Sequence, residues 1–200
     1  MDDRESQAAL PPQAHGEARR QVGTEGLWIF VFIDMVIFTL IFFVFMSERL
    51  GSLALFEAGQ QRLDAWFGLV NALVLLTSSW LVVEAVHGAR AGAMQGVRRH
   101  LAGALLCAAL FVVSKVLEYR AKLLLGLTPA TDPFFSFYFF ITFVHFLHVV
   151  AGMLFINAYR RRAARDVGGK AFIAGLENVG LFWHYVDVLW IFIFPLLYLI

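Results

Sequence analysis

The sequence predicts an all-α integral membrane protein: one bundle of five transmembrane helices, N-terminus cytoplasmic and C-terminus periplasmic. Three observations carry this. Hydrophobic residues make up 60% of the 200, including 21 Phe, against about 45–50% in soluble domains, and the mean hydropathy is +0.72. Five apolar runs reach the roughly 20 residues that a helix needs to cross the hydrocarbon core. Charged residues are 16% of the chain and gather in short clusters between those runs.

Residues 1–25, MDDRESQAALPPQAHGEARRQVGTE, have no apolar stretch of the kind a signal peptide needs. With Pro11, Pro12 and polar neighbours they are expected to form a flexible cytoplasmic tail. Residues 26–200 then form a single membrane domain. The first span, 26–47, carries Asp34. The second, 65–88, has Glu84 and His87 near its end, three apart and so on one helix face. The third, 101–125, places Lys115 and Glu118 at the same spacing, which permits an ion pair that offsets much of the cost of either charge in lipid. Cys107, the single cysteine, reads as a small packing residue in that span.

The fourth span, 134–159, contains VHFLH, with His145 and His148 on one face. Ala151 and Gly152 follow, small residues of the kind that let a neighbouring helix come close. The fifth, 176–200, begins at Glu177 and contains WHYVD, with His184 and Asp187 three apart. Its Pro195 is tolerable in a membrane helix, where neighbours re-satisfy the freed carbonyl. The connections GSLALFEAGQQRLD, ARAGAMQGVRRH, GLTPATD and RRRAARDVGGKAF read as short loops with no room for a soluble domain.

Orientation follows from the basic residues, which favour the cytoplasmic side. Arg4, Arg19, Arg20, Arg90, Arg98, Arg99, Arg160, Arg161, Arg162, Arg165 and Lys170 fall on one side. Only Arg49, Arg62, Arg120 and Lys122 fall on the other. At about 1.5 Å of rise per residue, Asp34 and His184 lie roughly 12 Å from the cytoplasmic end of their spans, and His148 and Asp187 roughly 16 Å. These four share a level and can meet if their helices are neighbours.

An ionisable group at this depth needs a partner. A metal is one candidate, because helix pairs do build di-iron sites. That template wants about four carboxylates, and the Glu residues here lie at other depths. A haem held by His would be crowded by Phe182, Trp183, Tyr185 and Trp190. Mutual hydrogen bonding of the His and Asp side chains is the favoured reading, with no metal, cofactor or catalytic residue expected in the chain itself. Two rivals stay open: a metalloprotein using His145, His148, His184 and Asp187, and a proton-coupled transporter with an Asp34–His148–Asp187 core. The second is disfavoured by the lack of an inverted repeat. No phosphate-binding loop, HExxH or nucleophile elbow occurs, and the sparse basic residues between spans speak against nucleic acid. No soluble substrate is expected.

The segment LENVGLFWHYVDVLWIFIFPLLYLI resembles the last helix of cytochrome c oxidase subunit III. The family's acidic residue and W-H-x-V-D-x-x-W pattern are matched by Glu177, Trp183, His184, Val186, Asp187 and Trp190. FFITFVHFLHVVAG resembles the family's F-x-x-x-G-x-H-x-x-H-V-x-x-G, through His145, His148, Val149 and Gly152, with Phe143 where a Gly is usual. Glu118 and Tyr119 match its E-Y pair, Asn71 and His87 match the helix before that, and Asp34 falls where the family carries an intramembrane acid. The resemblance runs from about residue 23 to the end. EGLWIFVFIDMVIF, SKVLEY and FPLLYL look most like the five-helix E-type accessory proteins associated with nitric oxide reductase. Subunit III of a bacterial cytochrome c or quinol oxidase is the alternative.

The resemblance implies a non-catalytic subunit of a haem-copper-type respiratory complex in the bacterial inner membrane. It would support the stability, lipid retention and proton uptake of a catalytic partner that holds the haem and metal, in an oxidase or in nitric oxide reductase. Its other partners would be membrane lipids, with bound phospholipid as the small molecule. Asp34 would then lie near the partner's proton entrance. Glu177, His184 and Asp187, with His145 and His148, would form an internal polar network. The lipid cleft of seven-helix members would lack the wall made by their first two helices.

Overall fold

Runs of twenty apolar side chains remove water from the backbone, and a helix is the structure that satisfies every N–H and C=O within one segment. The computed structural model describes residues 23–165 and 169–200; most of the expected tail, residues 1–22, lies outside them. The described residues form α1 (Glu25–Gly51), α2 (Leu53–Gln60), α3 (Ala65–Arg90), α4 (Met94–Leu124), α5 (Pro133–Ala163) and α6 (Lys170–Tyr198). All but α2 are long and apolar enough to cross a membrane. Asp64 starts α3 by accepting from the Trp66 N–H, and Asp132 starts α5 by accepting from Phe135 N–H at 2.9 Å, with Pro133 in the first turn. Both are ordinary N-terminal signals.

Two features differ from the sequence expectation. The connection after the first span holds a helix, α2, whose eight residues are too few for a periodic signal. Tertiary packing secures it: Phe56 is fully buried between Phe45 and Phe134, ring centroids 5.3 and 5.9 Å away. Gly59 lets the Phe134 ring lie where a Cβ would come within 2.4 Å of it. The spans also run past their apolar limits. α4 begins at Met94, α5 continues to Ala163 and α6 begins at Lys170, because arginine and lysine carry their charge to water on long stems while the helix persists.

α6 is the central helix. It completely buries Trp183, Val186, Trp190, Ile193 and Leu197 and packs against α3, α5 and α1. α1 is peripheral, burying only Asp34, Phe38 and Phe45. Contacts fix the directions. Thr24 N–H donates to Asn178 Oδ1 at 3.0 Å, and Arg90 meets Glu177, so the start of α1, the end of α3 and the start of α6 share one end. Phe194 and Tyr198 pack on Gly68 at the other. The clustered arginines of α3, α4 and α5 therefore lie at one end of the bundle.

Candidate functional site

Asp34 projects from α1 into the seam between α5 and α6. Its Oδ2 accepts from the Tyr185 hydroxyl at 2.5 Å and lies 3.3 Å from Nε2 of His148. The other nitrogen of His148 is 2.9 Å from the Val144 carbonyl. A carbonyl only accepts, so Nδ1 carries a proton. Nε2 and the Asp34 carboxylate oxygen therefore face each other across the α1–α5 seam, an ion pair when the imidazole is protonated. Phe30, Phe38 and Phe182 surround the imidazole, so the pair sits in a largely apolar setting.

Trp183, His184 and Asp187, on either side of Tyr185, face the other way around α6. Trp183 Nε1 donates to Ser78 Oγ at 3.1 Å, and Ser78 in turn donates to the Ala104 carbonyl at 2.9 Å, linking α6, α3 and α4. The Trp183 ring fits only because residue 152 is Gly, where a Cβ would come within 2.4 Å of it. His184 Nδ1 is hydrogen-bonded to Ser79 of α3. Asp187 Oδ2 lies 3.9 Å from the same nitrogen, too far for a hydrogen bond. Both Asp187 carboxylate oxygens are buried without a hydrogen-bond donor, as are both nitrogens of His145 without any partner, among the described residues. His145 packs between Trp190 and Phe111, with centroids 5.2 and 5.6 Å away.

At the arginine-rich end, Glu177 Oε1 accepts from Arg90 Nη2 at 2.9 Å and Nε at 3.2 Å. Toward the opposite end lies a second buried cluster. Lys115, fully buried, donates from Nζ to Glu118 Oε2 at 2.8 Å, Tyr198 at 3.2 Å and Tyr138 at 3.3 Å. The Tyr198 hydroxyl donates to the second Glu118 oxygen at 2.7 Å. The rings of Trp190, Tyr119, Tyr138 and Tyr198 surround the ammonium within 6 Å, a geometry that favours a cation. Glu84 and His87 also meet, at 3.7 Å.

The structure thus brings Asp34 to His148 and Lys115 to Glu118. It does not join the expected network into one. Glu177 turns to Arg90, His184 and Asp187 face α3, and His145 stands among aromatic rings. Successive residues on a helix point about 100° apart, so Tyr185, rather than its neighbour His184, reaches Asp34. Sequence reasoning missed Tyr185, Arg90, Tyr138, Tyr198 and the serines Ser78 and Ser79. The serine pair inside an apolar span was the available signal. Among the described residues no three His, Cys, Asp or Glu side chains converge as a metal would need.

Five long apolar helices with polar groups turned inward define a polytopic membrane protein. The chain belongs to the cytochrome c oxidase subunit III family, whose model matches residues 12–200. It is 27% identical to cytochrome c oxidase subunit 3 of Corynebacterium diphtheriae, over 96% of this chain and 95% of that one. It is 28% identical to quinol oxidase subunit 3 of Bacillus subtilis, over 100% and 97%. A longer protein of Aeropyrum pernix, heme-copper oxidase subunit I+III, is 27% identical over 87% of this chain and 22% of its own length. The chain is therefore a multi-pass protein of the inner membrane and a non-catalytic subunit of the haem-copper oxidase type. All three relatives are named for oxidases, which supports the terminal-oxidase alternative better than the link to nitric oxide reductase.

Proposed function

We propose that this chain is subunit III of a bacterial aerobic terminal oxidase, bound to the catalytic subunit that holds the haem and metal. The observation that carries the reading is the match, over almost the full length of both chains, to relatives named as subunit 3 of cytochrome c and quinol oxidases. The fused Aeropyrum pernix protein, named subunit I+III, supports subunit I as the partner. The arginine-rich end is cytoplasmic by the basic-residue rule. On that orientation the Asp34–His148 pair lies in the cytoplasmic half of the membrane, a placement suited to supporting proton uptake by the partner.

Phospholipid is the ligand we assign to the groove between α1, α5 and α6. This cavity, 650 Å³, is lined by Leu27, Phe30, Leu147, Phe155 and Phe182, with Asn178 and Tyr159 toward the arginine-rich end. An acyl chain suits the apolar wall and a headgroup the polar end. All of these walls come from helices that the chain possesses, so the reading does not need the two additional helices of seven-helix relatives.

Purification of the tagged chain from its native membrane, with mass spectrometry of what accompanies it, tests the reading. A catalytic oxidase subunit is expected, together with co-purifying phospholipid. The second reading, an accessory protein of nitric oxide reductase, rests on the resemblance of the SKVLEY segment to the E-type accessory proteins. Recovery of a nitric oxide reductase subunit in place of an oxidase would select it.

A further inference from the structure

WHYVD has an inward and an outward side. Trp183, Val186, Asp187 and Trp190 are buried, whereas His184 leaves 43% of its side chain exposed. It stands about 14 residues into α6, roughly 21 Å along the helix and so near its middle. Nδ1 is engaged by Ser79, which leaves the opposite edge of the ring, with Nε2, without a hydrogen bond among the described residues. His184 itself lines a groove of 200 Å³ between α1 and α6, together with Leu27, Val31, Leu181, Tyr185 and Val188 as well as Trp28.

Nε2 is polar in either tautomer, a donor if Ser79 donates to Nδ1 and an acceptor if it does not. Lipid tails offer it nothing, and an unsatisfied polar atom in hydrocarbon is unfavourable. Two threonines of the exposed surface solve this locally. The hydroxyls of Thr39 and Thr77 donate to the Met35 and Leu73 carbonyls of their own helices. His148 uses its own helix in the same way, through Val144. His184 does not, because its Nδ1 is turned across to α3. The larger groove between α4 and α5 has hydroxyls that are already paired, Tyr119 with Thr142 and Ser136 with the Pro129 carbonyl.

We infer that the α1–α6 groove beside His184 is an intramembrane docking site for a transmembrane helix of the catalytic partner subunit. That helix presents a hydrogen-bonding side chain to Nε2 and an apolar side chain to the small groove. The inference rests on the proposed function for the existence of that partner; the choice of face comes from His184. On this reading His184 fastens the subunit outward, while Trp183 holds the same turn inward.

The test places the photo-crosslinking residue p-benzoylphenylalanine at Val188, or at Phe143 on the α4–α5 face, in the tagged chain within its native membrane. Val188 is expected to give an adduct with the catalytic subunit and Phe143 to give none. An adduct from Phe143 but not Val188, or Val188 adducts only with lipid or with a second copy of this chain, overturns the inference. In parallel, His184→Phe should lower the partner recovered with the chain at least tenfold, whereas His184→Gln, which keeps a polar group near Nε2, should stay within twofold. Circular dichroism of each purified variant checks that the bundle is intact; equal recovery for both variants also overturns the inference. If the unaltered chain brings down no catalytic subunit at all, the failure belongs to the proposed function.

Discussion

Asp34 Oδ2 on α1 lies 3.3 Å from His148 Nε2 on α5 and 2.5 Å from the Tyr185 hydroxyl on α6, so one carboxylate ties three helices together inside the membrane. Since α1 buries little else, this contact governs how α1 is seated. Replacing Asp34 by Leu strands two partners, each costing about 1–3 kcal/mol when left unsatisfied. Asp34→Leu should lower the unfolding temperature in detergent and speed hydrogen exchange in α1 ahead of α3 and α4. Asp34→Asn keeps an acceptor for Tyr185 and should do less. If the Asp34 carboxyl serves proton uptake, Asp34→Asn should still slow turnover of the assembled complex; unchanged turnover leaves Asp34 as a packing residue.

Lys115 and Glu118 offer a sharper energetic test, because both are buried and each is the other's charge partner. Removing one member of such a pair costs about 3–5 kcal/mol, while replacing both by apolar residues is often neutral. Lys115→Met should therefore be strongly destabilising. The double variant Lys115→Met, Glu118→Leu should recover much of the loss in an unfolding titration. A double variant as unstable as the single would show that the tyrosine hydroxyls, not the ion pair, dominate the cluster.

Gly152 should tolerate no side chain. A Cβ there meets the Trp183 ring at 2.4 Å, and forcing a methyl group into a packed core costs about 1–3 kcal/mol. Gly26, in the first turn of α1, has nothing within 4 Å of its would-be Cβ, so Gly26→Ala should be neutral or stabilising by up to about 1 kcal/mol. Thermal unfolding of the two alanine variants side by side checks the contrast.

Orientation can be read chemically. With Cys107 replaced by Ala, a cysteine at Arg165 should react with a membrane-impermeant maleimide only after the cells are opened. A cysteine at Thr131 should react in intact spheroplasts. The reverse pattern would invert the bundle and move the Asp34–His148 pair to the other half of the membrane.

The sequence by itself determined whatever depends on distance along one helix. Five runs of the right length mean five spans, and the position of the arginines follows from the same runs. Lys115 and Glu118 meet because three residues along a helix leave two side chains little choice. Depth matching brought Asp34 and His148 to a common level, since rise per residue is constant. The tertiary structure decided how each helix is rotated about its axis. Gly152 receiving Trp183 and Gly68 receiving Phe194 set the azimuth of α6, and that rotation sends Tyr185 toward Asp34 and His184 and Asp187 toward α3. The Arg90–Glu177 pair and α2 likewise depend on packing between segments far apart in the chain. Periodicity is a local property, whereas the angle between two packed helices is set by the side chains of both.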